Sequence, residues 1–261
     1  MNIRTLFFVA LAVLCASCNR LDSVVKIEGK NVPIAGAAVE CATTAMQELV
    51  ERGKLSVDSV KAPIIGTAAI TLVADRPEST LTNFAADALL HQAQAYSKEK
   101  IDIAVTNRGG LRSDLNSGAI TFGDIYNVFP FENTLVTLTL NGEQLLRLFG
   151  EIARVGGEAI SGARMEITRD ADTAICTKLI VGDVSIPGDD KEWMAKEYRI
   201  ATSDYLSQGN DGLSTLAEGV ARKEYNMTIR QLMIEYIAGL HKKGESVNAV
   251  LDGRIKVFTR K

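Results

Sequence analysis

The sequence predicts a mixed α/β (α+β) fold, a layered domain with a mixed β-sheet and packed helices, and three observations support this. Stretches of strand-like and helix-like periodicity alternate loosely along the chain, which argues for helices covering at least one largely buried sheet. The 261 residues are 46% apolar, enough for a sizeable core. The 21 glycines against 5 prolines supply many turns but no proline-rich linker. With 29 Lys+Arg against 32 Asp+Glu and a formal net charge of −3, the chain has no basic block that would track a nucleic-acid backbone.

The chain opens with Arg4, an unbroken apolar run at 6–14, the small residues Ala16 and Ser17, and Cys18. That is the layout of a signal peptide, and nine apolar residues are too few to span about 30 Å of hydrocarbon. Leu14-Cys15-Ala16-Ser17-Cys18 resembles a bacterial lipobox, with Cys15 an unusual occupant three places before the modified cysteine. The resemblance implies cleavage after residue 17 and acylation of Cys18, so the folded part would be lipid-anchored at the bacterial cell envelope, periplasmic or cell-surface. Plain secretory cleavage is the alternative. The organisation expected is a lipoprotein signal peptide at 1–17, a polar spacer at 18–36 and one domain at 37–261. Cys41 and Cys176 then remain, and they read as two buried free thiols rather than a disulfide scaffold.

Within the domain, Val39, Met46, Leu49 and Val50 predict an amphipathic helix from 37 that ends at Gly53. A β-rich run at 64–73 follows. Glu78-Ser79-Thr80 then opens a helix with Leu81, Phe84, Ala85, Ala88 and Leu89 facing inward. Residues 101–106 read as a short buried strand that breaks in the turn Asn107-Arg108-Gly109-Gly110-Leu111-Arg112. Thr121 with Asp124 three places on predicts the cap of a short helix ending before Phe129-Pro130-Phe131. Val136, Leu138 and Leu140 alternate with Thr137 and Thr139 as a half-buried strand, and Asn141-Gly142 turns into a helix with Leu145, Leu146, Phe149 and Ile152 inward. Strands are expected at 164–169, 179–186, 197–203 and 254–258, and a last helix at 228–240.

The chemistry available is restricted. A hydrolytic metal centre needs several convergent ligands, and the chain has only His91 and His241, neither in a ligand spacing. No serine sits in a Gly-x-Ser-x-Gly elbow, and there is no Walker-A loop. What remains is a constellation suited to a small anion with an aromatic portion. Asn107 and Arg112 flank Gly109 and Gly110, where backbone N–H groups and a guanidinium can approach one ligand. Phe131 ends a short helix, and the polar loop 204–212 carries Tyr205 and Asp211. Taken singly, these residues also read as core aromatics and simple turns.

Together, however, Asn83-Phe84-Ala85-Ala86-Asp87-Ala88, the 107–112 turn, Gly118-Ala119-Ile120-Thr121, Phe129-Pro130-Phe131-Glu132-Asn133, Leu140-Asn141-Gly142 and the 205–212 loop resemble the C-terminal domain of the 5′-nucleotidase/UDP-sugar hydrolase family. The resemblance covers residues 37–261. It implies that this domain holds the nucleoside part of a substrate while a metallophosphoesterase domain with two metal ions cuts the phosphate ester, in nucleotide catabolism. It implies that Phe131 and Tyr205 sandwich the base, Asn107 contacts its edge, Arg112 approaches the phosphate or ribose, and Asp211 takes the ribose hydroxyls. Gly109, Gly110 and Gly162 give the backbone room. Tyr205 stands where the family commonly has Phe. Arg108 replaces a small residue and either crowds the site or adds a phosphate ligand, and Arg76 is an approximate counterpart of an upstream arginine. No cofactor or metal is expected in this chain, so the resemblance implies a separate metallophosphoesterase polypeptide carrying two divalent metals. A nucleotide- or nucleoside-binding lipoprotein without a catalytic partner is the alternative, and a structural module a third.

Overall fold

A computed structural model describes Gly29, residues 44–188 and residues 191–260. The signal peptide, Cys18, nearly all of the spacer and Cys41 lie outside the described residues. The chain divides into two compact units, Met1–Glu51 and Arg52–Lys261. Of the first, the described residues are Gly29 and the opening turns of one helix. All that follows on sheets, core and site concerns the second.

In chain order the elements begin with helix α1 (Thr44–Lys61), strand β1 (Ile64–Ala68), helix α2 (Thr80–Ser97), β2 (Ile103–Thr106), β3 (Gly118–Thr121) and helix α3 (Phe122–Val128). Then come β4 (Thr134–Asn141), helix α4 (Gly142–Arg154), β5 (Ala159–Ser161), β6 (Ala163–Arg169), β7 (Ala174–Val181) and β8 (Val184–Ile186). Helix α5 (Glu192–Ala195), β9 (Glu197–Ser203), β10 (Val220–Thr228), helix α6 (Ile229–Lys242) and β11 (Ile255–Thr259) complete the series. Among the described residues no helix is long and apolar enough to cross a membrane.

A mixed five-stranded sheet in the order β10-β4-β9-β2-β5 organises the unit. Only β2 and β9 run parallel within it. Its two faces are buried in two separate clusters. On one face Ala104, Leu135 and Ala201 meet α2, α6 and the small β1-β3 pair. On the other, Ile103, Val105, Leu138, Leu140 and Ile200 meet α4 and the second sheet, ordered β11-β6-β7-β8. The split follows from the two-residue period of a strand, which sends Ala104 one way and its neighbours Ile103 and Val105 the other.

The cap predicted at Thr121 forms, and two more stand where the sequence opens helices at Ser79 and Asn141. Ser79, Thr121 and Asn141 accept from the backbone N–H three residues on, and Thr82, Asp124 and Gln144 reach back, closing capping boxes on α2, α3 and α4. The expected inward residues of α2 are all buried, as are Leu145, Phe149 and Ile152 of α4, with Leu146 partly so. Four readings need correction. Helix α1 does not stop at Gly53 but runs to Lys61, two residues before Pro63, whose ring disfavours helical backbone at Ala62. Its Met46, Leu49 and Val50 are exposed rather than inward. The run 64–73 is strand only to Ala68. Strand β4 is buried from Leu135 to Leu140, not half-buried, because it is interior to a sheet covered on both faces. The stretch 179–186 is a hairpin, β7 and β8, turned at Gly182 with φ +56°. Cys176 is a free thiol, half-buried, and its burial pushes its pKa up to about 11.

Candidate functional site

Strands β2 and β9 pair Ile103 with Ile200 and Ala104 with Ala201 in parallel, so both leave the sheet at the same edge. Strand β4 is antiparallel to β9, with Leu135 opposite Ser203, so it enters the sheet there. Three loops therefore meet at one edge: Asn107 to Arg112 after β2, Phe131 to Asn133 before β4, and Tyr205 to Gly212 after β9.

They enclose a cavity of about 340 Å³. Six of the sequence-predicted residues line it, namely Asn107, Gly109, Arg112, Phe131, Tyr205 and Asp211. Gly110 borders the adjoining crevice with Asn107 and Phe131. Gly162 does not join them. Its φ is +81°, a Cβ there would lie 2.0 Å from the Asp102 carbonyl oxygen, and it lines another pocket. Because β5 is antiparallel to β2, Gly162 sits at the opposite end of β2 from Asn107, where it permits close strand approach.

Phe131 is 47% and Tyr205 39% exposed, so neither is a core aromatic. Arg112 stands 5.9 Å from the Phe131 ring centroid and donates weakly to the Gly109 carbonyl at 3.4 Å, which leaves most of its donors for the cavity. Asp211 adopts φ +55° between Gly209 and Gly212, both also left-handed, and this turn aims its carboxylate into the site. Its Oδ2 accepts from the Asn107 side-chain amide at 2.6 Å and its Oδ1 from the Tyr205 hydroxyl at 2.8 Å. The hydrogen bond to Asp211, with that carboxylate's charge, holds the Tyr205 phenol above its ordinary pKa. A Cβ on Gly110 would lie 2.8 Å from Asn107 Oδ1, so glycine there lets the turn fold against that amide.

A supporting layer lies behind the loops. Asp204 Oδ1 accepts from the backbone N–H of Thr134 and of Tyr205, both at 2.9 Å, tying two of the loops together. Glu158, only 1% exposed, accepts from the Arg108 backbone N–H and pairs with Arg76. Burial raises the pKa of its carboxyl, and the Arg108 N–H and Arg76 pull against that shift. Arg76 also donates to the Gly157 carbonyl at 2.8 Å, and Arg108 turns its guanidinium to the Ala74 carbonyl at 3.0 Å. Neither arginine is among the cavity-lining residues, so Arg108 neither crowds the cavity nor supplies a ligand to it. On α4, Glu151 takes the Ser214 hydroxyl at 2.5 Å and the Thr215 N–H at 3.1 Å, pinning the chain just after Asp211. Reasoning from sequence missed Glu151, Glu158 and the cavity-lining Asn133. Asn133 was legible as a polar residue beside Phe131, whereas isolated glutamates carry no spacing signal.

Among the described residues no group of three or more His, Cys, Asp or Glu is placed to hold a metal ion. The two metals of a metallophosphoesterase centre therefore do not fit these residues. His91 packs its ring 5.1 Å from that of Tyr236, and His241 ends α6.

Residues 62–218 match the family model described as "5'-nucleotidase, C-terminal domain". The chain is 29% identical over 223 residues to the trifunctional nucleotide phosphoesterase protein YfkN of Bacillus subtilis, a match covering 81% of this chain and 15% of that protein. It is 29% identical over 157 residues to a probable 5′-nucleotidase of Treponema pallidum, covering 56% of this chain and 26% of that one. The crystal structure of a 5′-nucleotidase precursor from Thermus thermophilus superposes with a TM-score of 0.69 at 26% identity, over 83% of this chain and 44% of that one. The chain thus spans less than half the length of each of these relatives. With the model matching more than half of its residues, and the three cavity-forming loops lying within the matched span, the chain belongs to the 5′-nucleotidase C-terminal domain family.

Proposed function

We propose that the cavity binds the base and ribose of a nucleotide or nucleoside and presents the phosphate ester to a metallophosphoesterase carried on a separate polypeptide. One observation carries this reading: two exposed aromatics, a guanidinium with most of its donors uncommitted and a buttressed carboxylate line one 340 Å³ cavity. Phe131 and Tyr205 would take the base by stacking, Arg112 the phosphate or ribose, and Asp211 the ribose hydroxyls. Gly109 leaves room for close backbone approach. Phosphate-ester cleavage, with its two divalent metals, belongs in this reading to the partner. The same reading places the domain at the bacterial cell envelope through an acylated Cys18, which mass spectrometry of the mature N-terminus tests directly; an unacylated Cys18 would refute the anchor.

Isothermal titration with adenosine, its monophosphate and inosine is the test of binding. Phe131→Ala and Tyr205→Ala should each weaken binding by about 1–3 kcal/mol through lost stacking. No heat with any of these ligands would sink the reading. The chain alone should show no nucleotide hydrolysis with added Mn²⁺ or Zn²⁺, and robust turnover under those conditions would overturn the division of labour.

A further inference from the structure

Tyr205 differs from a phenylalanine by one hydroxyl, and in this structure that hydroxyl is committed. It donates to Asp211 Oδ1 at 2.8 Å while Asn107 donates to Oδ2 at 2.6 Å, so each oxygen of the carboxylate already carries a donor. Both residues are held at the backbone. Asp211 is fixed by its left-handed turn. Tyr205 is held by Asp204 at its N–H and by the Asn210 side-chain amide at its carbonyl, 2.7 Å away.

A ligand hydroxyl that reaches Asp211 therefore meets a carboxylate whose charge is partly satisfied. It must use a remaining lone pair of reduced basicity, or displace a phenol that is tethered beside its acceptor. The net worth of a hydrogen bond is the difference between bonds made and bonds given up, so either route returns little. With phenylalanine at 205, Oδ1 would face only water, and a ribose hydroxyl would gain the full exchange.

Resting on the nucleoside-binding reading above, we infer that the Tyr205 hydroxyl is a specificity-determining group that competes with ribose for Asp211 and lets the site accept 2′-deoxyribonucleosides almost as well as ribonucleosides. Tyr205→Phe keeps the stacking ring and removes only the competitor. Isothermal titration of the full chain with adenosine and 2′-deoxyadenosine reads the effect as a ratio of affinities. That ratio should lie within about threefold of unity in the wild type and rise by about three- to tenfold in Tyr205→Phe. The gain should vanish when Asp211→Asn is added. A ratio that stays the same or falls in Tyr205→Phe, with binding intact, would overturn the inference alone, since the hydroxyl would then serve the ribose or do nothing. Absence of binding by either nucleoside to wild type and variant would instead bring down the binding reading, and this inference with it. Ultraviolet titration of the phenol, compared with Tyr205→Phe to isolate its signal, gives a ligand-free readout. Asp211→Asn should bring its titration down toward that of a free tyrosine, and an unmoved titration would overturn the pairing on which the inference stands.

Discussion

Glu158 illustrates how a single buried carboxylate can serve a loop it does not belong to. It lies beneath the turn that carries Asn107 and accepts from the Arg108 N–H, with Arg76 as its counter-charge. Removing Arg76's charge while keeping its stem, as in Arg76→Met, leaves a buried carboxylate with one backbone donor, and the half-exposed position of Arg76 tempers the cost. A loss of about 1–3 kcal/mol at pH 7 is expected. The sign with pH follows from the raised pKa of Glu158. The fold favours its protonated form, so stability from this group is fully present below the ordinary carboxylate pKa and is lost as pH rises through the raised value. The deficit of Arg76→Met should therefore be small in acid and grow toward neutrality, which urea unfolding of both proteins from pH 4 to pH 8 will check; a pH-independent gap would contradict it. At this scale the sequence showed what solvent and glycines mark. Tyr205, Asp211 and Arg112 stand in polar, glycine-punctuated loops, whereas Glu158 follows Gly156-Gly157 with nothing in its neighbours to distinguish it from a surface acid.

Among the elements, the starts of α2, α3 and α4 were legible, whereas the short helix α5 and the strand edges were not. Ser79, Thr121 and Asn141 announce helices through local chemistry, since each cap is satisfied within three residues of itself. Ser79→Ala should cost about 1 kcal/mol in chemical denaturation. Strand β10 gave no such signal, because Val-Ala-Arg-Lys-Glu-Tyr-Asn-Met-Thr is an exposed edge strand whose pairing with β4 is decided elsewhere in the chain. Glycines also divide by element. Gly53 lies inside α1 with open space where a Cβ would go, so Gly53→Ala should stabilise by about 0.5–1 kcal/mol. Gly142 starts α4 with its would-be Cβ 1.9 Å from the Trp193 carbonyl oxygen, so Gly142→Ala should destabilise by about 1–3 kcal/mol or more. Thermal melts of the two variants should move in opposite directions, and a shared direction would show that the backbone around one site had been misread.

For the unit as a whole, the five-stranded sheet separates two hydrophobic clusters, and its interior strands β4, β9 and β2 serve both. These strands should hold the slowest-exchanging amides, with β10 and β11 exchanging much earlier. Hydrogen exchange read by mass spectrometry or NMR would contradict this if an edge strand proved as protected as β9. The layering was visible in the alternation of strand and helix patterns, but which strands would be central was not. That depends on pairings between residues far apart in the chain, and periodicity carries no information about partners.

The parallel pairing of β2 with β9 also sets an order of events in time. Asn107 and Asp211 are 104 positions apart, and the strands that deliver them cannot come together until the whole intervening chain has been gathered in. Closing so long a loop is entropically late, whereas the capped helices α2, α3 and α4 need only their own turns. During refolding, helical signal should therefore return well before the 2.6 Å contact between Asn107 and Asp211 is made, and the capacity to hold a ligand should be among the last properties the chain recovers.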